Sequence, residues 1–314
     1  MGANVSIIVL SYNPNLISLK RTIRSAIFQK NIDFEIIVSD DCSKNNFHKE
    51  IEQLFIDNGF YNYKINKNNC NVGTVKNILS ALKLAKGEYV YCISQGDMLF
   101  DDNTISDFYH FSKNKSAKIC FGDYLGYNCM DDKVNIFDAK IYPRITGAYS
   151  KGFKIYKNTF LLNDYILGPS YFRERSFFEK ALTQISKTSV YVEDSTTTAY
   201  ALTMGVEVYY YPRKIVWYEI GIGISQGANS KLMKQVDIDI LKTLDSLVEK
   251  YPKDRTLKAG RDIRLQINRN SSIFSLIIKY PFLFVKRFCY RKILKNRDIR
   301  YTKEDRNLLL SKIY

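Results

Sequence analysis

The chain has 314 residues, 46% of them apolar, with 47 Lys and Arg against 32 Asp and Glu, for a formal charge of +15. That length suits one large α/β domain with an appendage, or two modest domains, and the apolar share excludes a globally disordered chain. The charge is uneven: residues 228–314 hold 21 Lys and Arg against 9 Asp and Glu, so the back is cationic and the front nearly neutral. Six cysteines without a C-x-x-C pair predict reduced, mostly buried thiols in a cytosolic protein. The two histidines, His48 and His110, lie at no ligand spacing from a Cys or Glu, which argues against zinc hydrolysis and Ser-His-Asp chemistry. The start, MGANVSIIVL, carries no basic region or long apolar core of a secretory signal. It matches the myristoylation pattern from Gly2 to Ser6, but Val5 to Leu10 read as a strand that must be buried.

In chain order, VSIIVLS (5–11) is a continuous β-branched run stopped by YNPN, the pattern of a strand covered on both faces. Residues 16–29 place Leu16, Leu19, Ile23, Ala26 and Ile27 on one helical face. FEIIVSDDCS (34–43) reads as a strand ending in two aspartates, and a helix follows at about 47–58. YNYKIN reads as a third strand, followed by the loop KNNCNVG and a helix over 74–87 with Gly87 as its C-cap. EYVYCIS and the turn QGDM complete a β-α-β-α-β-α-β unit, which implies a parallel sheet with helices on both faces. Ligands of such sheets bind beyond the carboxyl ends of the strands. Those ends carry Ser11, Tyr12 and Asn13, then Asp40 and Asp41, then Ser94, Gln95 and Asp97.

From about 117 the pattern is richer in strands, with a loop, short strand and helix over 166–181 and a helix over 191–205 opened by acidic residues. VEVYYYP and KIVWYEIG read as two further strands, in which Tyr209, Tyr210 and Tyr211 face core and surface alternately. GIGISQG (221–227) is close to a dinucleotide fingerprint but follows late strands and opens no βαβ unit. The domain reading is 1–227 as one catalytic unit, with a nucleotide half (1–115) and an acceptor half (116–227), then a helical basic extension (228–314). Within it, 271–297 is apolar in its first half and basic in its second, short of the ~20 clean apolar residues of a spanning helix.

These segments together resemble the inverting glycosyltransferases of family 2, which have the GT-A fold: a Rossmann-like, mostly parallel central sheet flanked by helices. VSIIVLSYNP looks like the family's first strand, EIIVSDDCSKN its Asp-Asp-Gly-Ser stretch, and NVGTVKNILSALKLAKGEYV its Asn-x-Gly loop and helix. ISQGDML stands at the Asp-x-Asp position, VEDSTTTAYAL at the catalytic Glu-Asp position, LGPSYFRERSFFEK at the acceptor loop and WYEIGIGIS at the closing strand. The resemblance implies a nucleotide-sugar donor, UDP- or dTDP-linked, Mg²⁺ or Mn²⁺ as cofactor, and transfer to a hydroxyl of a glycan or polyprenyl-linked acceptor. It implies donor contacts from Leu10, Tyr12, Asn13, Asp41, Lys76, Ser94 and Gln95, a metal ligand in Asp97, and acceptor contacts from Gly168, Pro169 and Ser170. Asp194 stands as general base and Glu193 as its acidic neighbour, turned about 100° away on the helix. Two departures stand out: Cys42 replaces the usual Gly, and Ser94-Gln95-Gly96-Asp97 keeps one carboxylate where a hard cation favours several oxygens.

Plainer alternatives accompany each assignment. Acidic residues also suit a helix N-terminus, and Asp suits a solvated turn. A non-catalytic nucleotide-sugar-binding or scaffold relative also fits the thinned acidic motif. The basic tail reads as a solvated face, as a nucleic-acid surface, or as an interfacial membrane segment. The last is preferred, because Phe274, Ile277, Ile278, Phe282, Leu283, Phe284 and Phe288 accompany the cations. That reading makes the protein cytoplasmic and peripheral at the inner face of the cell membrane, with no nucleic-acid partner.

Overall fold

The computed structural model describes residues 3–130, 133–138, 143, 145–150, 157, 164–221, 230–269, 272, 274–293 and 299–313. Strand β1 (Val5–Ser11) is flanked by β2 (Phe34–Asp40) and β4 (Tyr89–Ser94), and β3 (Tyr63–Lys67) lies outside β2, all four parallel. The crossovers are α1 (Leu16–Ile27), α2 (His48–Asp57) and α3 (Thr74–Leu82). Alternate residues of the strands serve opposite faces. Ile8, Ile37 and Cys92 pack with Val75, Ile78 and Leu82 of α3, while Ile7, Val9, Ile36 and Val38 pack with Leu19, Ile23 and Phe55 of α1 and α2. Each such side chain, fully buried, stabilises the fold by about 1.5–3 kcal/mol. The register sets Ser11 opposite Asp40 and Leu10 opposite Ser94, so the three carboxyl ends open at one edge of the sheet.

Beyond β4 the sheet continues in the order β8-β6-β9-β5, with β7 paired to β6. The elements are β5 (Met98–Leu99), α4 (Thr104–Asn114), β6 (Ile119–Met130), β7 (Lys133–Phe137), β8 (Tyr171–Glu174), α5 (Arg175–Ile185), α6 (Asp194–Thr203) and β9 (Val208–Glu219). β8 runs antiparallel to β4 and β6, whereas β6 and β9 are parallel. The sheet is therefore mostly parallel at its core, with helices on both faces. Residues 208–219 form one strand rather than two. Pro212 falls where the β6–β9 register shifts between Phe121 and Asp123, and an irregularity there tolerates a residue with no N–H to donate.

Helix α3 ends at Leu82, so Gly87 is not its C-cap. A Cβ on Gly87 would stand 2.3 Å from the Ser6 nitrogen, so glycine is required there for close approach to β1. Of the six free cysteines, only Cys92 and Cys120 are buried, whereas Cys42, Cys70 and Cys289 are exposed and Cys129 is intermediate.

The C-terminal region is helical: α7 (Ser230–Lys250), α8 (Arg255–Asn268), α9 (Phe274–Lys279), α10 (Pro281–Ile293) and α11 (Lys303–Ile313). Leu244, Leu247 and Leu257 of α7 and α8 join the core cluster of α3, α5 and α6. Leu309 of α11 packs with Met98, Phe100 and Trp217 at the far sheet edge, and Lys312 lies 3.4 Å from Asp102. Pro281 opens α10 just after α9 ends, as a residue lacking N–H and suited to a first helical turn does. No helix among the described residues is long and apolar enough to cross a membrane. Gly2, the GIGISQG positions 222–227, and 270, 271, 273 and 294–298 around the basic segment lie outside the described residues.

Candidate active site

The loop after β3 is held by Asp41. Its Oδ1 accepts from Val72 N at 3.0 Å and Asn68 Nδ2 at 2.9 Å, and its Oδ2 accepts from Gly73 N at 2.9 Å. A carboxylate has about four lone-pair sites, so these three bonds leave one acceptor site free on Asp41. Asp40 turns the other way, accepting from Ser43 N and Oγ, with His48 Nε2 at 3.7 Å. Asn77, buried on α3, braces the loop through Ser39 and Asn68.

The turn after β4 is bolted from three sides. Gly96 N donates to Thr22 Oγ1 at 2.9 Å, Tyr127 OH donates to Gly96 O, and Glu219 N donates to Asp97 Oδ1 at 3.0 Å. Gly96 has φ +94°, and a Cβ there would stand 1.9 Å from Glu219 Oε2. Glu219, at the end of β9, thus lies over the turn and sets a second carboxylate beside Asp97. Burial, then Glu219's like charge, pushes the Asp97 carboxyl well above its usual range, and burial also raises Glu219. Gly96→Ala should destabilise the protein by about 1–3 kcal/mol, read from the urea midpoint, because it combines left-handed strain with a collision. An unchanged midpoint would show that the turn is not held as described.

Opposite stands the acidic pair at the start of α6. Glu193 is the N-cap and Asp194 the first helical residue, and a Cβ on Gly168 would meet Glu193 Oε1 and Asp194 Oδ2 at 3.4 Å each. Both carboxylates therefore face the Gly168–Pro169 turn, and the expected divergence of Glu193 is not seen at the tips of the side chains, although its backbone is already helical at φ −93° and ψ −29°. Burial pushes both groups up, the charge of Asp194 adds to the rise of Glu193, and the Arg173 guanidinium draws both back. Arg173 is 1% exposed, lies 4.0 and 4.4 Å over the rings of Tyr171 and Phe178, and has no hydrogen-bond partner at Nε or Nη2. Tyr91 OH donates to Pro169 O at 2.6 Å and fixes the turn that the pair faces. The loop before the pair is pegged by buried Asp239 of α7, which accepts from Val190 N at 2.8 Å and Tyr191 N at 2.7 Å.

All three acidic groups line one cavity of about 1130 Å³. Leu10, Tyr12, Asp41, Ser94, Gln95, Asp97, Gly168, Pro169, Glu193 and Asp194, all expected from the sequence, lie in its wall. Asn13, Lys76 and Ser170 do not. Asn13 has φ +45° and is tied to the loop after β2, its Oδ1 accepting from Lys44 N and its backbone amide donating to Ser43 Oγ. Lys76 is exposed on α3, which presents Asn77 to the cavity instead, and Ser170 is turned wholly inward by its 3₁₀ turn. Glu219 was not expected, although a single acid ending the apolar run KIVWYE is the same signal that marks Asp97.

Four wall residues bear buried polar atoms without a hydrogen-bond partner: Ser11 Oγ, Gln95 Oε1, Glu219 Oε2 and Arg264 Nε. Buried polar groups are ordinarily paired, so their clustering here marks a surface that a polar ligand completes. Glu35 provides the contrast. It is as buried, yet Ser6, Lys64 and the Lys86 amide hold its carboxyl below the usual value despite burial. Lys64 neutralises this structural acid, whereas burial leaves the Asp97 and Glu219 carboxyls raised.

A parallel-centred sheet whose strand ends deliver acids to one cleft is the GT-A fold of glycosyltransferases. The family model of glycosyl transferase family 2 matches residues 6–182, more than half of the chain, and the chain belongs to that family. Among solved structures it is similar to residues 1–349 of S. aureus TarS in complex with UDP-GlcNAc, at TM-score 0.58 and 17% identity over 93% of this chain and 81% of that one. The same TarS fragment in complex with UDP gives 0.57 and 16% over 87% and 74%. The mannosyltransferase PcManGT from Pyrobaculum calidifontis, in complex with GDP-Man and Mn²⁺, gives 0.58 and 11% over 99% and 79%. These identities speak for the fold. No curated protein sequence matches the chain.

Proposed function

We propose that the protein transfers a sugar from a nucleoside-diphosphate sugar to a hydroxyl with inversion, in the synthesis of a bacterial surface glycan. The observation that carries this reading is the convergence of Asp41, Asp97 and Asp194, from three separate segments, on one cavity. Asp41 takes the base edge of the nucleotide, with Tyr12 and Leu10 beside it. UDP- and UDP-GlcNAc-bound TarS structures support a uridine donor. Asp194 removes the proton of the acceptor hydroxyl while Glu193 and the Gly168–Pro169 turn hold that hydroxyl in line. Its raised pKa suits the role, because a base poised nearer neutrality gives a greater driving force to proton transfer.

Asp97 and Glu219 fit a divalent cation: two adjacent carboxylates, one with an orphaned oxygen, in a buried wall. Among the described residues no group of three acidic, His or Cys side chains could hold one alone, so diphosphate oxygens would complete the shell. Mg²⁺ or Mn²⁺ bound there would offset the charge of the leaving diphosphate. The Mn²⁺ complex of the mannosyltransferase supports this.

The acceptor is proposed to be carried on a lipid, with the protein peripheral at the membrane. Phe282, Val285 and Phe288 are 80%, 60% and 60% exposed and recur at three-residue spacing on α10, with exposed Lys286 and Lys292 between and beyond them. The opposite side of the helix pair is anchored, as Leu276, Tyr280, Leu283 and Phe284 pack on Ala259 and Ile263 of α8.

Thermal shift with Asp97→Asn tests the metal site. Asp97 has its folded pKa raised, so its contribution to stability is fully present below the unfolded value near 4 and is lost as pH rises through the folded value. Without ligand, Asp97→Asn should therefore melt above wild type by a margin that widens from about pH 4 upward. With UDP, Mn²⁺ should raise the melting temperature of wild type further and that of the variant little. Equal Mn²⁺ responses would remove Asp97 from the site.

A further inference from the structure

Asp41, the residue that clasps the loop after β3, is flanked by two exposed thiols. Cys42 follows it directly, and Cys70 lies in the clasped loop between Asn68 and Val72, both of which donate to Asp41. Cys42 Sγ is 3.5 Å from Asn69 O, the carbonyl joined to the Cys70 nitrogen. Across a trans peptide that oxygen and the next Cα are about 2.8 Å apart, so the Cys42 sulfur lies within about 6.3 Å of Cys70 Cα. The two backbones are stitched on either side of the thiols, by Asn68 N to Asp40 O at 3.0 Å and by the Val72 and Gly73 amides to Asp41. The Cα to Sγ reach of Cys42, about 2.8 Å, bounds the two Cα atoms at about 9 Å, so a bridge needs side-chain rotation and a loop movement that brings them within the ~7 Å that a disulfide spans. Cys42 also holds a left-handed backbone, φ +64°, where a side chain is disfavoured and glycine would be free of strain. A thiol is present at this position at a conformational cost.

We propose that Cys42 and Cys70 form a reversible disulfide under peroxide-type oxidants, and that it weakens nucleotide binding at the adjacent Asp41 pocket. Peroxide oxidises one thiol to a sulfenic acid and releases water; the second thiol displaces a further water from the sulfenic sulfur as the S–S bond forms. In sum, two thiols and one peroxide give one disulfide and two waters, and a dithiol reductant reverses the change. The other cysteines compete poorly. Burial pushes the Cys92 and Cys120 thiols up to about 12, which keeps them protonated and inert, and raises Cys129 as well, while Cys289 is remote in sequence on α10. Drawing Cys70 towards Cys42 displaces Asn71 and Gly73, both of which line the cavity, and this is the route to weaker binding. That second half rests on the nucleotide reading given above; the bridge itself does not.

The experiment treats the full chain with low peroxide, counts thiols after denaturation, maps peptides without reduction, and titrates UDP into both forms. Wild type should lose two thiols, show a crosslinked 42–70 peptide, and bind UDP at least about threefold more weakly, with full recovery in dithiothreitol. Cys42→Ser and Cys70→Ser should each retain both the remaining thiol and the reduced-state affinity. Absence of the crosslinked peptide, or thiol loss wholly explained by dimers through Cys289, overturns the proposal. A crosslink that leaves UDP affinity unchanged overturns its regulatory half. Failure of either form to bind UDP strikes instead at the nucleotide reading and leaves the bridge standing.

Discussion

Asp194→Asn should lower transfer by about 10²–10⁴-fold, the usual contribution of a positioned general base, and leave UDP binding within about twofold of wild type. Asparagine keeps the shape of the side chain, its acceptor for the Ser195 amide and its place against Gly168, so the loss reports on proton removal alone. Glu193→Gln should behave differently, with a smaller fall in turnover and a rise in acceptor KM, as the positioning role proposed for Glu193 requires. The pH profile separates the two further. Both carboxyls are raised by burial, so wild-type turnover should decline as pH falls through those raised values while each becomes protonated. In Glu193→Gln the Glu193 titration, raised to about 7, drops out of the profile, so only the Asp194 limb remains and the acid limb should move to lower pH. A normal rate in Asp194→Asn, measured as released UDP with a competent acceptor, would falsify its assignment as base.

Replacing Phe282, Val285 and Phe288 together by Ser should weaken binding to anionic vesicles by about 100-fold, at about 1 kcal/mol lost for each partly inserted side chain. These three groups face solvent, so the melting temperature should hold, and the variant isolates the surface from the fold. Added salt should weaken wild-type binding through Lys286 and Lys292 and affect the triple variant in proportion, since screening acts on the cations. Wild-type protein that floats free of phosphatidylserine vesicles at low salt would remove the membrane surface from the account, along with the lipid-carried acceptor.

The parallel half of the sheet was legible because its strands are continuous apolar runs and its turns carry Asn, Gly and Asp. The same runs, ending in Asp41 and Asp97, located the cavity wall. The closing strand was less so: Pro212 reads as a stop, and only the shifted pairing with β6 lets one strand pass through it. Glu219 escaped notice because its effect depends on a fold that lays it across Gly96, 123 positions earlier in the chain. Arg173 reads as an ordinary charged residue in SYFRE, and nothing local shows that it lies under the acidic pair. Asn13 and Lys76 were placed by motif order, whereas the backbone twist at Asn13 and the rotation of α3 decide which side chains reach the cavity.

Asp239 has a consequence for the chain as a whole. It sits on α7, in the basic C-terminal region, yet its carboxylate holds the amides that lead into Glu193 and Asp194. The acidic pair is thus braced from behind by a helix of the C-terminal region, and pair and brace alike lie beyond residues 6–182, the stretch that the family model matches. The rear helices cannot be traded for those of another relative as an independent cassette unless the replacement supplies an acceptor at the same spot. A swap cut between α6 and α7 would leave two amides unclaimed beside Glu193 and Asp194, and the acidic pair would lose its footing before the membrane surface was ever tested.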